Sequence, residues 1–177
     1  MKILLKKKDI DKIISNLTKK ILKKYKKNLN KFGIIGIHTN GVFIAKRILN
    51  KIEKLTNKKI PFGYLDITFY RDDIGYKTNI KNPKETNITF DVNNKEILLV
   101  DDVIYTGRTI RAAIEQILEI GRPKSLSVAV LIDRGNRELP IYAEFVGKKV
   151  KTKPNQQIEL LLQEETSQED KVIIYSK

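Results

Sequence analysis

The chain reads as one α/β domain built on a mostly parallel central sheet, and three features of its 177 residues predict this. Short apolar runs of strand length alternate with longer stretches whose apolar residues recur at helical spacing. One run, Ile97-Leu98-Leu99-Val100, is apolar throughout, as a strand buried on both faces must be. No internal repeat and no Pro/Gly/Ser-rich linker divides the chain, and its length suits one domain with a real core.

From the N-terminus, MKILLKKKDIDK lacks a signal-peptide core and predicts the start of an amphipathic helix, with Asp9 as its cap. Ile10, Ile13, Ile14, Leu17, Ile21 and Leu22 follow the 3.6-residue period, and Lys12, Lys19, Lys20, Lys23, Lys26 and Lys27 occupy mostly other faces. Residues 32–37 form the first core strand. A helix over about 42–55 offers Phe43, Ala45, Ile48, Leu49 and Ile52 for packing. The next strand spans 60–69, with Pro61 at its start. Residues 70–91 show no sustained period, which marks a working loop or a mobile hairpin.

After the 97–100 strand come Asp101 and Asp102, a Thr-Gly-Arg-Thr turn, and a helix patterned by Ile110, Ala113, Ile114, Ile117 and Leu118. Residues 125–132 read as another buried strand and 133–153 as a Gly- and Pro-punctuated segment. Closing strands at 158–162 and 172–175 flank QEETSQEDK, a polar turn expected to carry no chemistry.

Composition removes several kinds of chemistry. With no cysteine there is no disulfide, zinc-thiolate site or cysteine nucleophile. His38 is the only histidine, so one chain builds neither a histidine metal cluster nor a Ser-His-Asp triad. No apolar run reaches membrane-span length, and a cytoplasmic location is expected. Thirty-five Lys and Arg against 21 Asp and Glu give a net charge of +14, which favours polyanionic partners but equally describes a lysine-coated soluble surface.

The strand–acid–turn–helix junction carries the chemistry, because ligands bind at the carboxyl edge of an open α/β sheet. Backbone N–H groups of Thr106 to Thr109 open a helix and lack intrahelical partners. Gly107 lets a phosphate approach closely, and the two threonine hydroxyls add donors. Asp101 and Asp102 prefer sugar hydroxyls or a hard cation such as Mg²⁺. Together they suit a phosphorylated ribose. Neither a Walker P-loop nor Gly-x-Gly-x-x-Gly is present. His38-Thr39-Asn40-Gly41 leaves the first core strand as a second carboxyl-edge loop facing the same crevice.

VDDVIYTGRTIRA (100–112) resembles the phosphoribosyl-pyrophosphate (PRPP) signature of type I phosphoribosyltransferases. LDITFYRDD (65–73), GRPKSLSVAVLIDRGNRELPI (121–141) and FVGKKV (145–150) narrow the resemblance to the PyrR family, pyrimidine-operon regulators that are also uracil phosphoribosyltransferases. The resemblance runs nearly end to end. It implies the type I phosphoribosyltransferase fold, with a flexible loop at about 70–91 closing over PRPP and a small hood at about 133–153 over the base. Asp101 and Asp102 would hold the ribose hydroxyls, and Val103, Ile104, Tyr105, Thr106, Gly107, Arg108 and Thr109 the rest of the phosphoribosyl group. His38, Thr39, Asn40 and Gly41 would hold diphosphate, often across a non-proline cis peptide. Arg71 would reach diphosphate oxygens, and Arg134 and Val150 would adjoin uracil. Mg²⁺ would enter with PRPP. Tyr105 stands where purine-salvage relatives usually carry an acidic general base, which argues against hypoxanthine or guanine.

Two departures stand out. Asn40 brings no charge where some PyrR members carry arginine, so diphosphate binding leans on His38 if protonated, on Arg71, or on Mg²⁺. The resemblance also implies a UMP-responsive attenuator that binds pyrimidine-operon leader mRNA, with Thr18, Lys19 and Arg137 facing the RNA. Leu22, Asn136 and Tyr142 stand where a His, a His and an Arg are expected. Products UMP and diphosphate, and a homodimer or larger homo-oligomer, complete the expectation. Two other readings stay open: a regulatory RNA-binding nucleotide sensor with little catalysis, and a phosphoribosyltransferase for another base with no RNA role.

Overall fold

The structure, a computed structural model, describes residues 1–70 and 84–176. Its elements run β1 (Lys2–Lys6), α1 (Lys7–Tyr25), β2 (Phe32–Ile37), α2 (Asn40–Thr56), β3 (Phe62–Leu65), β4 (Glu96–Ile104), α3 (Arg108–Ile120), β5 (Ser125–Asp133), β6 (Phe145–Lys149), β7 (Gln156–Leu161), α4 (Gln163–Thr166) and β8 (Lys171–Ser176).

Five strands form a parallel sheet in the order β3-β2-β4-β5-β6. The apolar runs that predicted buried strands lie within it: all six residues of β2 are buried, as are Ile97 to Asp101 of β4. α1 and α2 pack on one face through Ile10, Ile14, Leu17, Ile44 and Ile48. α3 packs on the other through Ile110, Ala113 and Ile117. Because β2 leads outward to β3 while β4 leads the opposite way to β5, chain direction diverges between β2 and β4. The loops leaving their carboxyl ends therefore flank a crevice.

Several elements differ from expectation, each for a tertiary or side-chain reason. Residues 2–6 are a strand, because β1 finds an antiparallel partner in β8 at the far end of the chain. Asp9 is not the cap residue; it sits inside the first turn and accepts from the Lys6 N–H at 3.0 Å. β3 stops at Leu65 because Asp66 turns the chain, its Oδ1 accepting from the Thr68 N–H and hydroxyl. β4 runs on through the acidic pair to Ile104, since β5 continues beside it. Leu118 is 54% exposed and lies off the buried face of α3.

The segment expected as a hood divides. Residues 145–149 are β6, an edge strand of the main sheet. The second, three-stranded antiparallel sheet has the order β1-β8-β7 and comes from the two ends of the chain. An ion-pair cluster fastens it: Arg47 of α2 reaches Asp170 at 2.5 Å and Glu164 at 2.6 Å. Among the described residues no helix is long and apolar enough to cross a membrane.

Candidate active site

The β2–α2 loop and the β4–α3 loop meet above the switch between β2 and β4. The His38–Thr39 peptide is cis. Gly41 packs so tightly on β4 that a Cβ there would lie 2.6 Å from the Val100 carbonyl and 3.0 Å from Asp101 Cα. That contact pins the start of α2 against the acidic pair.

Asp101 and Asp102 play different parts. Asp101 is buried, and its Oδ1 accepts from the Asp102 N–H at 2.9 Å. Asp102 is half-buried; its Oδ1 accepts from the Val103 N–H and its Oδ2 from the Asn40 side-chain amide at 3.2 Å. Asn40 also donates to the Leu160 carbonyl at 3.0 Å, tying the loop to β7. Its amide therefore spans both walls, a geometric role in place of charge. Burial and the nearby Lys84 push the His38 pKa below its ordinary value. The shift favours the neutral imidazole over the protonated form that the sequence left open. Arg71 lies outside the described residues.

On the other loop Gly107 has φ +95°, a left-handed conformation that favours glycine, and opens α3. The first turn of α3 holds no acidic residue, so its partial positive charge is left for an anion. The DRGNRELP segment braces this loop from above. Arg137 donates to the Tyr105 carbonyl at 2.6 Å, to the Ile141 carbonyl at 2.9 Å and to Asp133 at 2.7 Å. Arg108 pairs with Glu138 at 2.7 Å, and Thr106 accepts from the Glu138 and Leu139 N–H groups. The Arg134 guanidinium lies 4.0 Å over the Tyr105 ring and donates to Thr152 and to the Gln156 carbonyl. Val150 donates its N–H to the Asp133 carbonyl.

Between the loops and β7 lies a cleft of about 570 Å³. Of the residues expected to bind substrate, Asn40, Asp102, Val103, Tyr105 and Arg134 line it. Ile104 does not, being a core residue. Thr106, Gly107, Arg108 and Thr109 stand beside it on the adjoining helix start.

Residues 2–162 match the phosphoribosyl transferase domain family. The chain is 49% identical over 148 residues to a Caldicellulosiruptor bescii protein named Bifunctional protein PyrR, covering 84% of this chain and 81% of that one. A Bacillus cereus protein of the same name is 48% identical over 146 residues, 81% of each chain. The chain belongs to the PyrR family. The hypoxanthine phosphoribosyltransferase of Trypanosoma cruzi shares the fold, with a TM-score of 0.73 at 16% identity over 99% of this chain and 97% of that one. The type I phosphoribosyltransferase architecture expected from the resemblance is thus the one observed.

In this PyrR-family chain the opposite wall of the cleft escaped the sequence reading. Gln157, Ile158, Glu159, Leu160 and Leu161 of β7, with Glu165 and Thr166 of α4, complete the lining. QEETSQEDK is therefore no idle turn: it supplies two of these residues and the buried Asp170. No local signal marks β7 as a cleft wall, since its position depends on pairing with β8. Two residues expected to face RNA are also engaged internally. Thr18 is 1% exposed and its hydroxyl donates to the Ile14 carbonyl, while the Arg137 side chain is 9% exposed. Lys19 is exposed.

Proposed function

We propose that this chain is a uracil phosphoribosyltransferase, converting uracil and PRPP to UMP and diphosphate, and that it binds pyrimidine-operon leader RNA in response to UMP. The observation that carries the reading is Asp102 on the wall of the cleft with the acid-free start of α3 following on the same loop, in a chain nearly half identical to proteins named bifunctional.

The helix start, with Thr106, Gly107 and Thr109, holds the 5′-phosphate of the ribose. Asp102 accepts the ribose hydroxyls, with Asp101 behind it fixing the loop geometry. The His38–Gly41 loop, cross-linked by Asn40, holds diphosphate. In the reaction the C1′–oxygen bond to diphosphate breaks as uracil N1 bonds to C1′ and gives up its proton to solvent, and positive character develops on the sugar. The nearby carboxylates favour that charge, and the arrangement works by orientation and electrostatics, with no covalent nucleophile. Among the described residues no cluster of three or more ligating side chains could cage a metal. Asp101 and Asp102 offer the oxygen donors that suit Mg²⁺ arriving on the diphosphate, where it would neutralise the leaving group.

The exposed lysines of α1 supply phosphate contacts for RNA, and a cytoplasmic homo-oligomer fits the same reading. Steady-state assay with PRPP, Mg²⁺ and a panel of bases tests the enzyme. Uracil is expected to be the preferred acceptor; turnover confined to another base, or absent with all, overturns it. Leader-RNA titration with and without UMP tests the regulatory half, with tighter binding expected in UMP.

A further inference from the structure

Two residues of α2 reach the three-stranded sheet from one face of the helix. Asn40 donates to the Leu160 carbonyl at 3.0 Å. Seven residues on, two turns and about 10 Å along the axis, Arg47 meets Glu164 and Asp170. Its Nε and Nη2 donate to the two Glu164 oxygens at 2.8 and 2.6 Å. Its Nη1 and Nη2 donate to the two Asp170 oxygens at 2.5 and 3.1 Å. Asp170, whose side chain is 2% exposed, also accepts from the Gln163 N–H at 2.9 Å. Arg47 thus grips Glu164 directly and Gln163 through Asp170. In the chain these two residues lie between Leu160 and Leu161 on one side and Glu165 and Thr166 on the other, all four of which line the cleft.

Stability alone is a poor reason for this arrangement. Leu160, Leu162 and Val172 are already buried in the main core, and such apolar packing is non-directional: it holds the sheet on without fixing its lateral position. Desolvation offsets most of the attraction within a buried ion cluster, so apolar side chains of equal volume in place of the whole cluster would stabilise as well. What the double fork adds is direction, since each carboxylate must meet the planar guanidinium along its edge. At its other end α2 starts with Asn40, which donates to Asp102 at 3.2 Å. One helix therefore sets the spacing between Asp102 and the wall that faces it.

We propose that Arg47 is a positioning residue for phosphoribosyl transfer: it touches no substrate, and it holds the wall formed by residues 160–166 at the spacing from Asp102 that brings the acceptor base onto the sugar. The inference rests on the uracil reading of the cleft, and the experiment separates the two.

Steady-state kinetics are compared in wild type, Arg47→Lys and Glu164→Gln, each first shown to be folded by circular dichroism. Lysine retains the charge without the fork, and Glu164→Gln retains the Asp170 pair. Misplacing the wall by about 1 Å should lower kcat/KM for uracil about 10²-fold in Arg47→Lys. Glu164→Gln should lower it about tenfold, equivalent to about 1.4 kcal/mol. The KM for PRPP should stay at the wild-type value in both, because Asp102 and the start of α3 are untouched. A rise in the KM for PRPP that matches the loss for uracil marks a merely structural role and overturns the proposal. Unchanged kcat/KM for uracil in either folded variant overturns it too. Should Arg47→Lys fail to fold, Glu164→Gln decides alone. A wild type that transfers to another base overturns the uracil reading only, and the same comparison is then made with that base. A wild type that transfers to no base overturns both.

Discussion

The Arg137 guanidinium donates to the Tyr105 carbonyl at 2.6 Å, fastening the DRGNRELP segment to the loop that opens α3. With its bonds to Ile141 and Asp133, it makes Arg137 a brace for the turn proposed to bind phosphate. Arg137→Met should cost about 2–4 kcal/mol of stability, because it strands a mostly buried carboxylate and two carbonyls. Urea denaturation checks the cost, and the KM for PRPP should rise in the same variant.

Asp101→Asn combined with Asp102→Asn retains the shape of both side chains while removing their charge. Turnover should fall at least about 10²–10³-fold, with circular dichroism and melting close to wild type. Normal activity in this double variant would refute the role given to the acidic pair.

Gly41→Ala tests the packing of the loop proposed to hold diphosphate. Its Cβ would press on the Val100 carbonyl at 2.6 Å, a backbone atom that is hard to move. We expect about 1–3 kcal/mol of destabilisation and a higher KM for PRPP, read by denaturation and steady-state kinetics.

The cluster joining α2 to the smaller sheet predicts a pH dependence. Burial would raise the Asp170 carboxyl, but Arg47 and the Gln163 N–H outweigh it and hold it below its ordinary value. Arg47 likewise lowers Glu164. A carboxyl depressed in the folded state stabilises above its unfolded pKa of about 4, and that stability is lost as pH falls through the folded value. Stability should therefore drop steeply below about pH 4. Arg47→Met should lose about 3 kcal/mol at pH 7 and flatten the acid limb, as urea titrations at several pH values would show.

For RNA, Lys19→Ala should weaken leader binding and reduce the salt slope by about one counterion. Thr18→Ala should leave it unchanged, because that hydroxyl is spent on Ile14. Filter binding at two salt concentrations distinguishes them.

Local sequence determined the elements whose signal is local. The apolar run of β2 and the helical period of α2 and α3 gave those elements to within a few residues, since burial on both faces or one stripe leaves its own pattern. The acidic pair and the Thr-Gly-Arg-Thr turn were legible because their chemistry sits in consecutive residues. Only the tertiary structure decided the rest. β1 became a strand through pairing with β8, and β7 became a cleft wall through the same sheet. Thr18 and Arg137 turned inward because the core and the Tyr105 loop claimed them. These outcomes depend on partners distant in the chain, and pairing across such distances leaves no periodicity to read.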